Sequence, residues 1–224
     1  VFLDQSKVTF SRCDLSYSQS YTGGSVYFAA GSDAVFENCI FSQNLTFQGI
    51  IYIVHSSPVF TNCTFADTFL FSDLAPTGGI LLAIGSNAIF RNCIFSGIPK
   101  MAVYEYEILS DPVVENCLFF GNTDGDYYDE NSVVISGALQ INALINYNGL
   151  ANSGNINGAP HFAAPHYGDY HITACSAALD RATSSGAPDV DRDGLSRPVD
   201  LAGTGEDGPG NGYDIGVYEL QEGP

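Results

Sequence analysis

Cations are scarce in this sequence: 7 Lys and Arg stand against 25 Asp and Glu, a formal charge of −18 at pH 7. Nucleic acid and anionic lipid both bind through clustered cations, so the composition argues against either as a partner. It also argues against a site built for a polyanionic sugar, short of a local basic patch that survives the average. No apolar run reaches the roughly 18 residues that a membrane-crossing helix needs, so membrane insertion is not expected. There is also no Cys-x-x-Cys pair among the 6 Cys, which removes the usual signature of a thiolate metal site. Val1-Phe2-Leu3 carries neither an initiator Met nor a signal peptide, and a repeat is under way by Phe10. The expectation is a chain processed or excised from a longer extracellular or cell-surface protein. Acidic chains with Asp-rich turns more often meet calcium or neutral glycans.

What is present is a repeat. Phe10-Ser-Arg-Cys13, Phe36-Glu-Asn-Cys39, Phe60-Thr-Asn-Cys63, Phe90-Arg-Asn-Cys93 and Val114-Glu-Asn-Cys117 recur with Cys intervals of 26, 24, 30 and 24 residues. Phe41, Phe65, Phe95 and Phe119 each follow a Cys by two positions. Upstream of the motif lies a second shared stretch: Ser25-Val-Tyr-Phe-Ala-Ala30, Ile50-Ile-Tyr-Ile-Val54, Ile80-Leu-Leu-Ala-Ile84 and Met101-Ala-Val-Tyr104. Each unit thus holds three short β-branched and aromatic segments bounded by Gly, Ser, Asn or Pro, which excludes a helical reading. Three strands per unit, stacked unit on unit, describe an all-β, right-handed parallel β-helix of about five to six coils. The coils are expected over residues 1–148, with a Gly/Asp-rich capping segment over 149–224 packed on the same domain. A solenoid needs such a cap, because its last coil otherwise exposes apolar core and unpaired strand edges.

The repeat makes specific structural predictions. Asn tolerates the left-handed region, so Asn38, Asn62, Asn92 and Asn116 suit a tight bend and stack as a ladder along the axis. Equivalent Cys on neighbouring coils sit roughly 4.8 Å apart with parallel side chains. An interior ladder of reduced Cys13, Cys39, Cys63, Cys93 and Cys117 is therefore favoured over disulfides. Registering the coils on Asn puts Tyr27, Ile51, Leu81 and Glu105 in one column and Phe28, Tyr52, Leu82 and Tyr106 in the next. Both are largely apolar and only one can face the core, so the C-terminal segment or a partner is expected to cover the other. Ser132 to Ile141 reads as one further strand.

Five closing motifs occur in order: Asn155-Ile-Asn-Gly-Ala-Pro-His-Phe162, Gly168-Asp-Tyr-His-Ile172, Cys175-Ser-Ala-Ala-Leu-Asp180, Asp191-Arg-Asp-Gly-Leu-Ser-Arg-Pro198 and Asp214-Ile-Gly-Val-Tyr-Glu219. Over residues 113–219 the chain resembles bacterial surface β-helix proteins, the choice-of-anchor Q or polymorphic-outer-membrane-like group. That resemblance implies a surface-anchored extracellular protein, mostly without assigned chemistry.

The best site candidate counts from Asp189. Asp189, Asp191, Asp193 and Asp200 fall at positions 1, 3, 5 and 12 of a calcium loop, with Gly194 at the sharp turn and the Leu195 carbonyl as a backbone ligand. The alternative is a metal-free capping loop in which Arg197 pairs with Asp214 or Glu219. His161, His166 and His171 recur every five residues, a spacing that could gather a metal. Glu105, Glu107 and Asp111 could supply paired carboxylates for glycoside cleavage, although outward charges on strands also serve solubility. The leading expectation is a non-catalytic extracellular module with a structural, adhesive or assembly role. A calcium loop, a neutral glycan or a second protein chain as partner, and end-to-end self-association at the N-terminal edge go with it. A polysaccharide-active lyase or glycoside hydrolase on the same scaffold is the alternative, resting on fold-level analogy.

Overall fold

The computed structural model describes residues 1–130, 133–146, 149–205 and 212–221. Short β-prone segments joined by tight bends wind the chain into a parallel β-helix with three faces. The first face holds Phe2–Asp4, Val26–Ala29, Ile51–Val54, Thr77–Ala83, Met101–Glu105 and Gly125–Asp129 in parallel order. The second holds Thr9–Ser11, Val35–Glu37, Val59–Thr61, Ile89–Arg91 and Val113–Glu115. The third stacks Ile40–Ser42, Thr64–Ala66, Ile94–Ser96 and Leu118–Phe120, and Ile156–Asn157 extends it beyond residue 148. Between the second and third faces the chain bends at Asn38, Asn62, Asn92 and Asn116, whose φ angles of 52°, 50°, 55° and 50° lie in the left-handed region.

Two columns of stacked rings fill the interior. Phe10, Phe36, Phe60 and Phe90 stack at 4.6, 5.0 and 5.1 Å between centroids. Phe41, Phe65, Phe95 and Phe119 stack at 4.9, 4.9 and 5.1 Å. The Cys column lies with them. Cys39, Cys63, Cys93 and Cys117 are buried free thiols, and Cys13 at the N-terminal end is half-buried. Each buried thiol lies within 3.5 Å of a carbonyl on the preceding coil, at Phe10, Phe36, Phe60 and Phe90 respectively. The sixth, Cys175, is exposed and apart from the column.

Three sequence expectations need correction. Val26 pairs with Ile51, Ile80 with Ile51, and Val103 with Ile80, so Glu105 pairs with Leu82. The turn between the first strand and the Asn bend varies in length from coil to coil, and registering on Asn therefore slips. The slip matters because Glu105 joins Leu3, Phe28, Ile53 and Leu82 on the inward side. The outward column is Tyr27, Tyr52, Leu81, Tyr104 and Tyr128.

Second, Val133–Ile135 turns back antiparallel to Gly125–Asp129, and Ala138–Ile141 is a single helical turn. Ser132, the first residue of the expected further strand, lies outside the described residues. Ile135, Ile141 and Leu144 pack on the last of the core. Asn side chains stand in for the next strand: Asn152 accepts from the Val114 amide at 2.8 Å, and Asn155 accepts from Cys117 at 2.9 Å and donates to Val114 at 2.8 Å. These Asn satisfy edge groups that an open coil would leave bare.

Third, the rest of the C-terminal segment does not sit over that end. It runs back along the outer side of the third face. Ile172, Ala178, Leu179, Ala182 and Ile215 pack on Ile94 and Leu118, while Tyr170, Val217 and Tyr218 pack on Ile40 and Ala66. The outer Tyr column of the first face is thus not the strip it covers.

Candidate functional site

The Asn column proves to be the seam that holds this segment. Asn92 donates to Asn62 at 3.3 Å, but the other contacts leave the ladder. Asn38 donates to the Val190 carbonyl at 2.8 Å, Asn62 to those of Asp214 and Gly216, and Asn92 to that of Thr183 at 2.8 Å, with the Thr183 amide returning to Asn92. Gly216 (φ 102°) crosses so close that a Cβ there would come within 2.6 Å of Ile94 Cδ1. That explains the glycine in the Asp-Ile-Gly motif.

Within the segment that the seam holds lies a buried acidic network. Asp191 accepts at 2.9 Å from the amides of Asp193 and Leu195, and its other oxygen from Glu219 at 3.3 Å. Asp214 accepts at 2.8 Å from Asp180 and from Leu220. Glu219 accepts from Val199 at 2.8 Å and pairs with Arg197 at 2.9 Å, both side chains fully buried. Burial pushes the Asp214 carboxyl up to about 7. The Glu219 carboxyl rises to about 8, through burial and then the neighbouring Asp214 charge.

Of the predicted calcium ligands, only Asp191 is buried; Asp189, Asp193, Leu195 and Asp200 are exposed. Leu195 O accepts the Asp191 amide at 2.9 Å, and Asp193 bonds His171 at 3.0 Å. The three histidines part company. His171 sits between Asp169 (2.6 Å) and Asp193 and stacks 3.7 Å from the Tyr218 ring, whereas His161 and His166 line surface clefts.

Among the described residues, one trio of potential ligand atoms converges within 4.8 Å: Glu105, Asp129 and Glu130. The register correction creates it, since Glu105 enters the core at the last coils. Tyr127 donates to one Glu105 oxygen, and the Glu130 amide donates to the other at 3.4 Å. Burial, then the Glu130 carboxylate, pushes Glu105 up to about 10, so it is protonated at neutral pH. Asp111 and Asn146 share its cavity of about 60 Å³, while Glu107 is exposed on the surface. Of the expected carboxylates Glu105, Glu107 and Asp111, the fold thus brings Glu105 and Asp111 to one cavity and leaves Glu107 outside it. The further partners Asp129 and Glu130 are hidden from the sequence because they follow the last recognisable unit.

Two larger clefts lie elsewhere, on the corner beyond the third face. One of about 460 Å³ is walled by Asp67, Gly97, Phe120, Gly121, His161 and Pro165. A second, of about 430 Å³, shares Asp67, Gly97 and Pro165 and adds Phe69 and His166.

In comparison with known proteins, the family described as right handed beta helix region matches residues 1–159. No curated protein and no solved structure gives a match.

Proposed function

The chain belongs to the right-handed β-helix family, and from that premise we propose that it is a non-catalytic extracellular surface module, a short rigid rod with an adhesive or assembly role. Within the family we place it near the bacterial surface proteins that its closing motifs resemble. The observation that carries the reading is the clamp along the third face. The closing motifs order the segment and the coils fasten it: Asp191, Asp214 and Glu219 each hold backbone amides of the segment itself, and Asn38, Asn62 and Asn92 of the coils donate to its carbonyls. A rod locked along its flank suits a stalk or presenting surface.

The test has two arms. Incubation with neutral and acidic polysaccharides should release neither reducing ends nor unsaturated uronates, and protease treatment of intact source cells should remove the protein. Turnover by this chain sinks the first half of the reading; protection in intact cells sinks the second.

An enzymatic reading is favoured by one observation, the protonated Glu105 beside two further carboxyls, which has the form of a general acid with its partner. Its cavity of about 60 Å³ holds about two waters rather than a sugar ring. Loss of any observed turnover in Glu105→Gln would restore this reading. Calcium at Asp189, Asp191, Asp193, Leu195 and Asp200 would be an addition to the module, requiring Asp191 and Asp193 to give up their present partners and the Leu195 carbonyl to release the Asp191 amide. A melting temperature lowered by chelator and restored by calcium supports it; an unchanged one supports the Arg197–Glu219 pairing alone.

A further inference from the structure

The corner after the third face turns through a column of left-handed residues: Gln43 (φ 52°), Asp67 (48°), Gly97 (64°) and Gly121 (66°). Backbone bonds stack them, Gln43 N to Ala66 O, Asp67 N to Ser96 O and Gly97 N to Phe120 O. At the last two positions the side chains stop at hydrogen, and the paired clefts open there. The strap that carries His161, Pro165 and His166 passes alongside, held where the Gln43 amide donates to Pro165 O at 3.1 Å.

The aromatic residues at these clefts are unlike those of the core. Phe120 is 45% exposed and Phe69 55% exposed. Neither ring stacks on another aromatic ring among the described residues, although Phe162 lines the same cleft as Phe120, whereas the core Phe rings stack face to face. Exposed ring faces are the surface on which the C–H side of a pyranose packs. Asp67 lies where the two clefts meet. Its Oδ2 accepts from Tyr170 OH at 3.1 Å, and its Oδ1 lies over Gly97, where a Cβ would come within 2.8 Å of it. Oδ1 has no partner among the described residues and is available to a hydroxyl. Neither cleft is lined by Lys or Arg. Lys100, which lines the adjoining cleft beyond Phe69, is paired with Asp124 at 3.2 Å, and on a chain of net charge −18 this arrangement favours a neutral ligand over an anionic one.

We propose that the paired clefts bind a neutral oligosaccharide, with sugar rings on Phe120 and Phe69 and a hydroxyl donated to Asp67 between them. Apolar faces plus a few placed polar groups are the usual make-up of such sites. This deepens the surface-module reading and rests on it.

Calorimetric titration with cellohexaose, xylohexaose and mannohexaose, and with oligogalacturonate as the anionic control, tests the assignment. At least one neutral hexasaccharide should bind, and Phe120→Ala should weaken it about tenfold or more, equivalent to about 1.4 kcal/mol. Asp67→Asn, which keeps a group facing Tyr170, should weaken binding several-fold, and Tyr104→Ala on the first face should not change it. Unchanged melting temperatures in these variants would separate lost binding from lost folding. Failure of all neutral probes, stronger binding of oligogalacturonate, or wild-type affinity in a folded Phe120→Ala overturns the site. Cleavage of a bound sugar would instead overturn the non-catalytic reading while leaving the clefts assigned.

Discussion

The coils and the segment along their flank are held by opposite means. In the coils, rings, thiols and aliphatic side chains close on the interior, and the core groups that could ionise are mostly thiols, of which Cys63 and Cys117 are pushed up by burial, with Glu105 and Tyr127 joining them at the last coils. In the segment, scattered small apolar residues contact the third face, and order comes from buried carboxylates, one buried arginine and the Asn seam. Apolar packing is indifferent to pH and falls with each atom removed. A buried charged network depends on pH and fails abruptly when one member is lost. The two halves should therefore respond differently to the same perturbation.

The largest effect should come from the coils. Phe60 is fully buried, stacked between Phe36 and Phe90 and edge-on to Phe28, Phe41 and Phe65. Phe60→Ala should cost about 3–5 kcal/mol, seen as a fall in the unfolding midpoint that is the same at pH 5 and pH 8. A marked pH dependence of that loss would undo the contrast.

Next is Arg197→Met. It conserves bulk but leaves Glu219 without its cation, with Asp214 and Asp191 nearby. The expected loss is about 3 kcal/mol in the anchoring of the segment. Rapid proteolysis after residue 160, with coil circular dichroism retained, would register it. If coils and segment melt together without early cleavage, the two halves are one cooperative unit and the comparison breaks.

Glu105→Gln sharpens the contrast, because it removes an acid that the coils bury inward. With its folded value raised to about 10, the native state holds a proton that the unfolded chain releases near 4.5. That stability is fully present below the unfolded value and is lost as pH rises toward the folded one, on the order of 1 kcal/mol per pH unit. Gln cannot ionise, so the variant should equal wild type near pH 4 and exceed it increasingly above pH 6. Parallel stability curves would show that the Glu105 carboxyl ionises freely.

Much of the coil architecture was legible because the repeat reports it directly. The left-handed bend selects Asn, and the two-residue spacing of Cys and Phe marks inward positions. The register of the first face was not, since turn lengths differ between coils and only pairing resolves them, and with it went the burial of Glu105. The flank docking left a readable trace. Ile40, Ile94 and Leu118 stand between Cys and Phe at outward positions where solvent would favour polar residues, which is a sequence signal for a covered face. The seam was harder to read, because Asn at a bend explains its φ angle without indicating what its amide binds.

The smallest expected effect concerns His171, which joins the hairpin strand Asp169–Ile172 to the Asp191–Arg197 turn. The charged and titratable groups around it are Asp169 on its own strand, Asp193 on the turn, and Tyr218 stacked on its ring with Arg192 beyond. Partial burial would lower its value, but the bonds to Asp193 and Asp169 outweigh this and hold it above the ordinary histidine range. A raised histidine contributes stability that is complete below the unfolded value near 6.5 and fades as pH rises through the folded value. Asp169 is held below the ordinary carboxylate range: its own partial burial opposes this, and the His171 bonds prevail. Its contribution is lost as pH falls, so the contact is strongest in mildly acidic solution. Both His171 and Asp193 are nearly half exposed, which limits the pair to under about 1 kcal/mol. Proteolysis of the segment should accordingly be slowest near pH 5.5 and accelerate toward pH 8. His171→Gln should remove only the part of that rise falling around neutrality, leaving the later rise set by Asp214 and Glu219. A variant with an unchanged profile from pH 5.5 to 8 would assign the whole dependence to the buried acids.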